Sequence, residues 1–124
     1  MSTIRFFPLL LLAVPAAAVA QSMPVATFIA KADALQRKGP LALFSSDLKL
    51  LTHQIKADFA GLRTERRAAE AAGTTTAFCP PAAGAKLTDK DILSAMQAVP
   101  TERRGTTSTR EALKTFLARR YPCN

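Results

Sequence analysis

From residue 24 onward the apolar positions recur three and four residues apart, and no run alternates as a half-buried strand would. Val25, Phe28, Ile29, Ala32 and Leu35 make one face of a first helix, expected over Pro24 to Lys38 with Ser22 as its cap and Gly39 as its stop. Pro40 opens PLALF, a short apolar connector or single helical turn that is expected to pack inward. The second helix is the longest, starting at Ser45 or Ser46 and ending at Gly73. At about 100° per residue, Leu48, Leu51, Ile55, Phe59 and Leu62 fill a stripe roughly 80° wide. Lys49, Lys56, Arg63 and Arg67 fall in a second stripe, within about 40° of one another.

Two features of that helix break the simple division into apolar and polar faces. Arg63 and Arg67 are a like-charge pair one turn apart, mildly unfavourable unless something anionic lies near. Arg66 projects into the apolar stripe. Either it is a snorkelling arginine on a solvated flank, or it lies under another element or subunit as part of a contact surface.

The stretch GTTTAFCPPAAGAKL is the first break, because a helix cannot run through Pro80-Pro81. Thr88 then caps a third helix, TDKDILSAMQAV, with Asp89 and Asp91 in its first turn, where carboxylates suit the dipole. Ile92, Leu93, Met96 and Val99 face inward, and Pro100 ends the helix. The second break, PTERRGTTS, has Arg103-Arg104-Gly105 at its tip. Ser108 and Glu111 form a capping box that starts a fourth helix, whose face is Leu113, Phe116, Leu117 and Tyr121 and which Pro122 stops. The expected fold class is all-α, a small bundle of about four helices in a single domain over residues 21–124.

The opening residues, MSTIRFFPLLLLAVPAAAVAQS, change the picture of where the chain works. Arg5 is followed by an uncharged apolar run from Phe6 to Val19, and Ala18-Val19-Ala20 has the small-x-small pattern of a cleavage site. Pro8 and Pro15 interrupt a run already shorter than the roughly 20 residues of a spanning helix. The reading is a signal peptide over residues 1–20, cut between Ala20 and Gln21, and a periplasmic or secreted product with no transmembrane segment after processing. Export in turn interprets the cysteines. The chain has two, which allow only one intramolecular pairing, Cys79–Cys123. Closing a loop of about 45 residues would stabilise the fold by roughly 4 kcal/mol in the chain-entropy model. It would also pin the last helix to the middle of the chain, with Phe78 inserted beside it.

The formal net charge is +8. Such a balance usually invites nucleic acid, but export argues against that partner. It leaves anionic envelope components or an acidic protein. Candidate chemistry is sparse. The one histidine, His53, falls away from both stripes of its helix. Asp47, Asp58 and Glu65 are spaced onto different faces and make no acid–base pair. Ser45 and Ser46 read as caps, an oxidised Cys79 is no nucleophile, and Gly73, Gly84 and Gly105 lack phosphate-loop spacing. The cysteines lack the companions of a metal site. The expectation is a protein with no catalytic residues, metal or cofactor.

The C-terminal half carries a resemblance. FCPP, a helix, a proline-bounded loop and a final helix ending RRYPC resemble the Rap/Tai family of periplasmic immunity proteins; the matching positions are Phe78, Cys79, Pro81, Pro100, Tyr121, Pro122 and Cys123. The resemblance implies a helical fold with one disulfide, often as a homodimer. It also implies a non-catalytic role: blocking a peptidoglycan-cleaving amidase delivered by type VI secretion, with a loop that occludes the toxin's cleft. Here that loop would be Thr101 to Thr107. The basic balance then implies an acidic effector surface.

Two partner-binding surfaces follow: the loop Arg103, Arg104 and Gly105, and the stripe Lys49, Lys56, Arg63 and Arg67. Two alternatives use the same features. One is an envelope-binding structural module that holds anionic polymer through the stripe. The other is an acid-stress chaperone similar to the HdeA family, which the scarcity of carboxylates disfavours.

Overall fold

The computed structural model describes residues 22–124. The expected signal peptide, with its expected cleavage after Ala20, therefore lies outside the described residues. Within them are four helices: α1 (Val25–Lys38), α2 (Ser46–Ala71), α3 (Asp89–Gln97) and α4 (Thr109–Arg120). Short 3₁₀ turns cover Gly39–Phe44 and Thr101–Arg103. The chain is all-α, and no described helix is long and apolar enough to cross a membrane.

Each helix begins where a side chain or backbone group can satisfy its first amides. Ser45 rather than Ser46 caps α2, accepting from the Asp47 amide at 3.2 Å. Thr88 with Asp91, and Ser108 with Glu111, close reciprocal capping boxes on α3 and α4. Gly73 lies just beyond α2 at φ 67°, the left-handed geometry that a glycine accepts without strain.

The start of α1 differs from expectation. Pro24 holds the cap position with no side-chain hydrogen bond. The first two amides donate instead to the α3–α4 loop, Val25 to the Thr107 carbonyl and Ala26 to that of Arg104, both at 2.9 Å. Ser22 serves α4. Its hydroxyl accepts from the Arg110 amide at 3.0 Å while the Thr109 amide donates to the Met23 carbonyl at 2.8 Å. The three leading amides of α4 are thus all paired, two of them by the segment that precedes α1.

Ser22 stands there because α2 places a carboxylate beside it. Asp58 is fully buried, on the same face as Leu51, Ile55 and Leu62. It accepts from Ser22 Oγ at 2.8 Å, Thr109 Oγ1 at 2.5 Å and Gln54 Nε2 at 3.1 Å. The Arg110 guanidinium approaches at 3.9 Å, an ion pair longer than a hydrogen bond, and its buried Nε has no hydrogen-bond partner. Gly61 makes room for that side chain: a Cβ there would lie 2.5 Å from the guanidinium carbon. A buried charge tolerates removal of its partners poorly, and this one sits at the α4 amino terminus, where the helix dipole favours an anion.

Around this network the core is apolar. Val25, Phe28, Leu51, Ile55, Leu62, Phe78, Ala95, Met96, Ala112, Leu113 and Leu117 form a single buried cluster. Phe78 is buried, as expected, next to Cys79, which is bonded to Cys123 with 5.0 Å between Cα atoms. The Cys79 amide donates to the Tyr121 carbonyl at 2.8 Å, a second tie at the same place.

One expectation fails outright. PLALF does not pack inward. Leu41, Leu43 and Phe44 are 71%, 73% and 86% exposed. None of the three belongs to the buried cluster or packs against it.

The Asp58 network yields a stability test. Asp58→Ala should cost about 3 kcal/mol or more in urea unfolding, because it strands a partly buried guanidinium and two hydroxyls. Asp58→Asn keeps one acceptor oxygen, for Ser22 or for Thr109 but not for both, and should cost less, about 1–2 kcal/mol. Equal losses would mean that the shape Asn retains contributes nothing and that the ionised carboxylate is what the site needs.

A cationic groove between two helices that do not touch

α4 packs against both α2 and α3, and α1 packs against all three other helices, but α2 and α3 have no close backbone approach of their own. The reason lies in what holds α3. Asp91 in its first turn accepts from Arg120 of α4 at 2.9 Å. At its other end Arg104 donates through Nε to the Val99 carbonyl at 2.8 Å and through Nη2 to the Gln97 carbonyl at 3.0 Å. Both ties run to α4 or to the loop before it. None runs to α2.

The space left between α2 and α3 is an open groove with two compartments. One, of about 560 Å³, runs between α1, α2 and α3 past Leu35, Leu48, Leu51 and Leu93. The other, of about 590 Å³, continues over Phe78, Pro80, Leu87 and Leu117. Lys56, Phe59 and Ile92 border both compartments. Each lies within the size range of ligand-binding clefts.

Lys56, Arg63 and Arg66 line the second compartment. Lys56 and Arg63 are exposed and make no ion pair among the described residues. Arg66 is half-buried and reaches Glu70 at 3.3 Å, one turn along. Its place in the apolar stripe is thereby explained: the stripe continues as the groove's wall, and the aliphatic stem of Arg66 covers apolar surface there while its head stays wet. No carboxylate lines this compartment. Apolar floor and one-signed rim together suit an anionic group attached to an apolar body.

The structure thus brings Lys56 and Arg63 of the expected stripe to the groove and adds Arg66. Lys49 and Arg67 are exposed on the same helix but do not line it. In the expected loop, Arg103 and Gly105 are exposed, whereas the Arg104 guanidinium is committed to the α3 carbonyls. Arg103 borders a smaller cleft of about 250 Å³ whose lining also includes Glu111 and Arg119, so charge there is mixed. His53 is exposed and outside the groove. The groove itself had no sequence signal, since it depends on which neighbour α3 chooses.

No protein-family model, curated protein or solved structure matches this chain.

Two outcomes test how α3 is held. Arg104→Ala should destabilise the protein by about 1–3 kcal/mol through two lost charged hydrogen bonds, with faster amide exchange concentrated at the α3 carboxyl terminus. The second concerns pH. Hydrogen bonds from the Thr88 amide and hydroxyl, with Arg120 alongside, hold the Asp91 carboxyl below its ordinary 3.8. A depressed folded-state value stabilises above 3.8 and is lost as pH falls through it. Asp91→Asn should therefore lower Tm at pH 7. Its difference from the parent should shrink below pH 3.8 and vanish once Asp91 is protonated in both folded and unfolded chains. A difference that persists in strong acid would mean that the carboxylate's charge is not involved.

Proposed function

We propose that this is an exported, non-catalytic binding protein whose α2–α3 groove grips an acidic, amphipathic segment of a protein partner. The observation that carries this reading is the cationic rim, Lys56 and Arg63 without ion-pair partners among the described residues and Arg66 beside them paired to Glu70, over an apolar floor that includes Phe59, Phe78 and Leu117. In the immunity-protein resemblance the partner would be a peptidoglycan-cleaving toxin, blocked before it lyses the cell that makes this chain. The groove supplies a grip by which the chain could be held on such an enzyme, and the exposed Arg103-Gly105 tip supplies a projection beside the clamped Arg104. Rim charges act mainly on association, while desolvated apolar contacts set residence time. The division suits a binder that must find its target quickly and then stay.

The test uses the purified protein as bait in an extract of its own cell envelope, followed by assay of what it captures. The expected partner is a peptidoglycan amidase whose activity the protein suppresses, with affinity falling as salt rises. Lys56→Glu with Arg63→Glu should weaken that suppression about tenfold or more, chiefly through slower association. A captured partner without wall-cleaving activity would remove the immunity reading. Suppression unaffected by the double reversal would remove the groove from it.

A further inference from the structure

The turn between α1 and α2 leaves its apolar side chains in water. Leu41, Leu43 and Phe44 fall within four consecutive residues, and all three are more than two-thirds exposed. Single exposed apolar residues are ordinary, but a contiguous apolar tip marks an interaction surface. This tip is also stiff. Gly39 turns the chain at φ 57°, Pro40 fixes the next residue, and the Ser45 amide donates back to the Ala42 carbonyl at 3.0 Å. Little conformational freedom remains to be lost on docking.

Charge identifies what the tip faces. Arg37 and Lys38 immediately precede it and Lys49 follows; none of the three forms an ion pair among the described residues. Lys38 reaches only the Ser45 hydroxyl, at 3.3 Å. Of the two carboxylates in the stretch, Asp47 is taken by Lys31 at 2.9 Å and Asp33 is exposed on α1. The α1 dipole accounts for cations in the last turn of that helix. It gives no reason to keep Phe44 in water two short steps later. We propose that Leu41, Leu43 and Phe44 insert into the interfacial region of an anionic lipid bilayer, with Arg37, Lys38 and Lys49 on the lipid headgroups.

The geometry fits shallow insertion. Side chains at an interface need only reach the boundary between headgroups and acyl chains, about 5–10 Å deep. Backbone carbonyls of a short turn stay hydrated there, as they could not in the hydrocarbon core. Basic residues add attraction to anionic lipid that fades with salt. The tip residues themselves do not line the groove.

The chain has no tryptophan, so Phe44→Trp gives a unique fluorophore at the tip. With vesicles of phosphatidylglycerol and phosphatidylcholine in equal parts, its emission should shift to the blue, and the shift should be absent with pure phosphatidylcholine. In co-sedimentation, Leu43→Ser with Phe44→Ser should weaken partitioning about tenfold or more. These side chains make no core contact, so the variant should keep the parent's Tm. Equal sedimentation of parent and variant would overturn the proposal, since charge alone would then hold the protein. So would a blue shift that grows with protein concentration in the absence of vesicles, which would make the tip a contact between copies. A shift only on adding a protein partner would assign the tip to that partner and overturn the proposal equally.

Discussion

The buried carboxylate of Asp58 is the constraint on which the arrangement of helices rests. A charge removed from water must be met by donors, and here the donors come from three parts of the chain: Ser22 before α1, Gln54 one turn earlier in α2, and Thr109 at the start of α4. The carboxylate fixes the start of α4 against the middle of α2 and draws the amino-terminal segment in beside them. Arg110 is the imperfect member. Its guanidinium stays near the charge, in the space that Gly61 leaves, without completing a hydrogen bond to it.

The far end of α4 is fixed by other means. The Cys79–Cys123 bond and the Cys79–Tyr121 backbone bond hold it against the segment after α2. With one end of α4 set on α2 and the other on the segment that follows α2, the remaining freedom is the position of α3. Asp91 and Arg104 bind α3 to α4 and its preceding loop, and so hold it off α2. The same loop lends the Thr107 and Arg104 carbonyls to α1. Arg104 thus joins two helix ends at once, its backbone at the start of α1 and its side chain at the end of α3. The groove follows from this division of attachments, and needs no further explanation than α3 having a better partner elsewhere.

Much of the fold was legible because capping is local chemistry. Thr88, Ser108 and Gly73 state helix ends in a few residues, and the apolar steps through α2 state its buried face. What was not legible depended on distance in the chain. Asp58 falls on the stripe of Leu51, Ile55 and Leu62, and a carboxylate there was the available sign of a buried network. Its partners, however, lie 36 and 51 residues away. PLALF misled for a related reason. Composition says that a segment is apolar, but only the tertiary structure says whether it reaches the core. Arg66 is anomalous within its helix, and the wall it belongs to appears only once α3 is in place.

The charge on the groove bears on what can lie against it. Under a two-fold axis a surface meets its own copy. A homodimer closed across the groove would bring Lys56, Arg63 and Arg66 of one copy toward the same residues of the other. At short range and with water excluded, that juxtaposition costs far more than it would on an open surface. Arg63 and Arg67 already repel one another along the helix. The chain tolerates this because its stability is vested elsewhere, in the Asp58 network, the disulfide and the core. The second compartment carries cations and no carboxylate, so closing it against its own copy would set like charges together away from water.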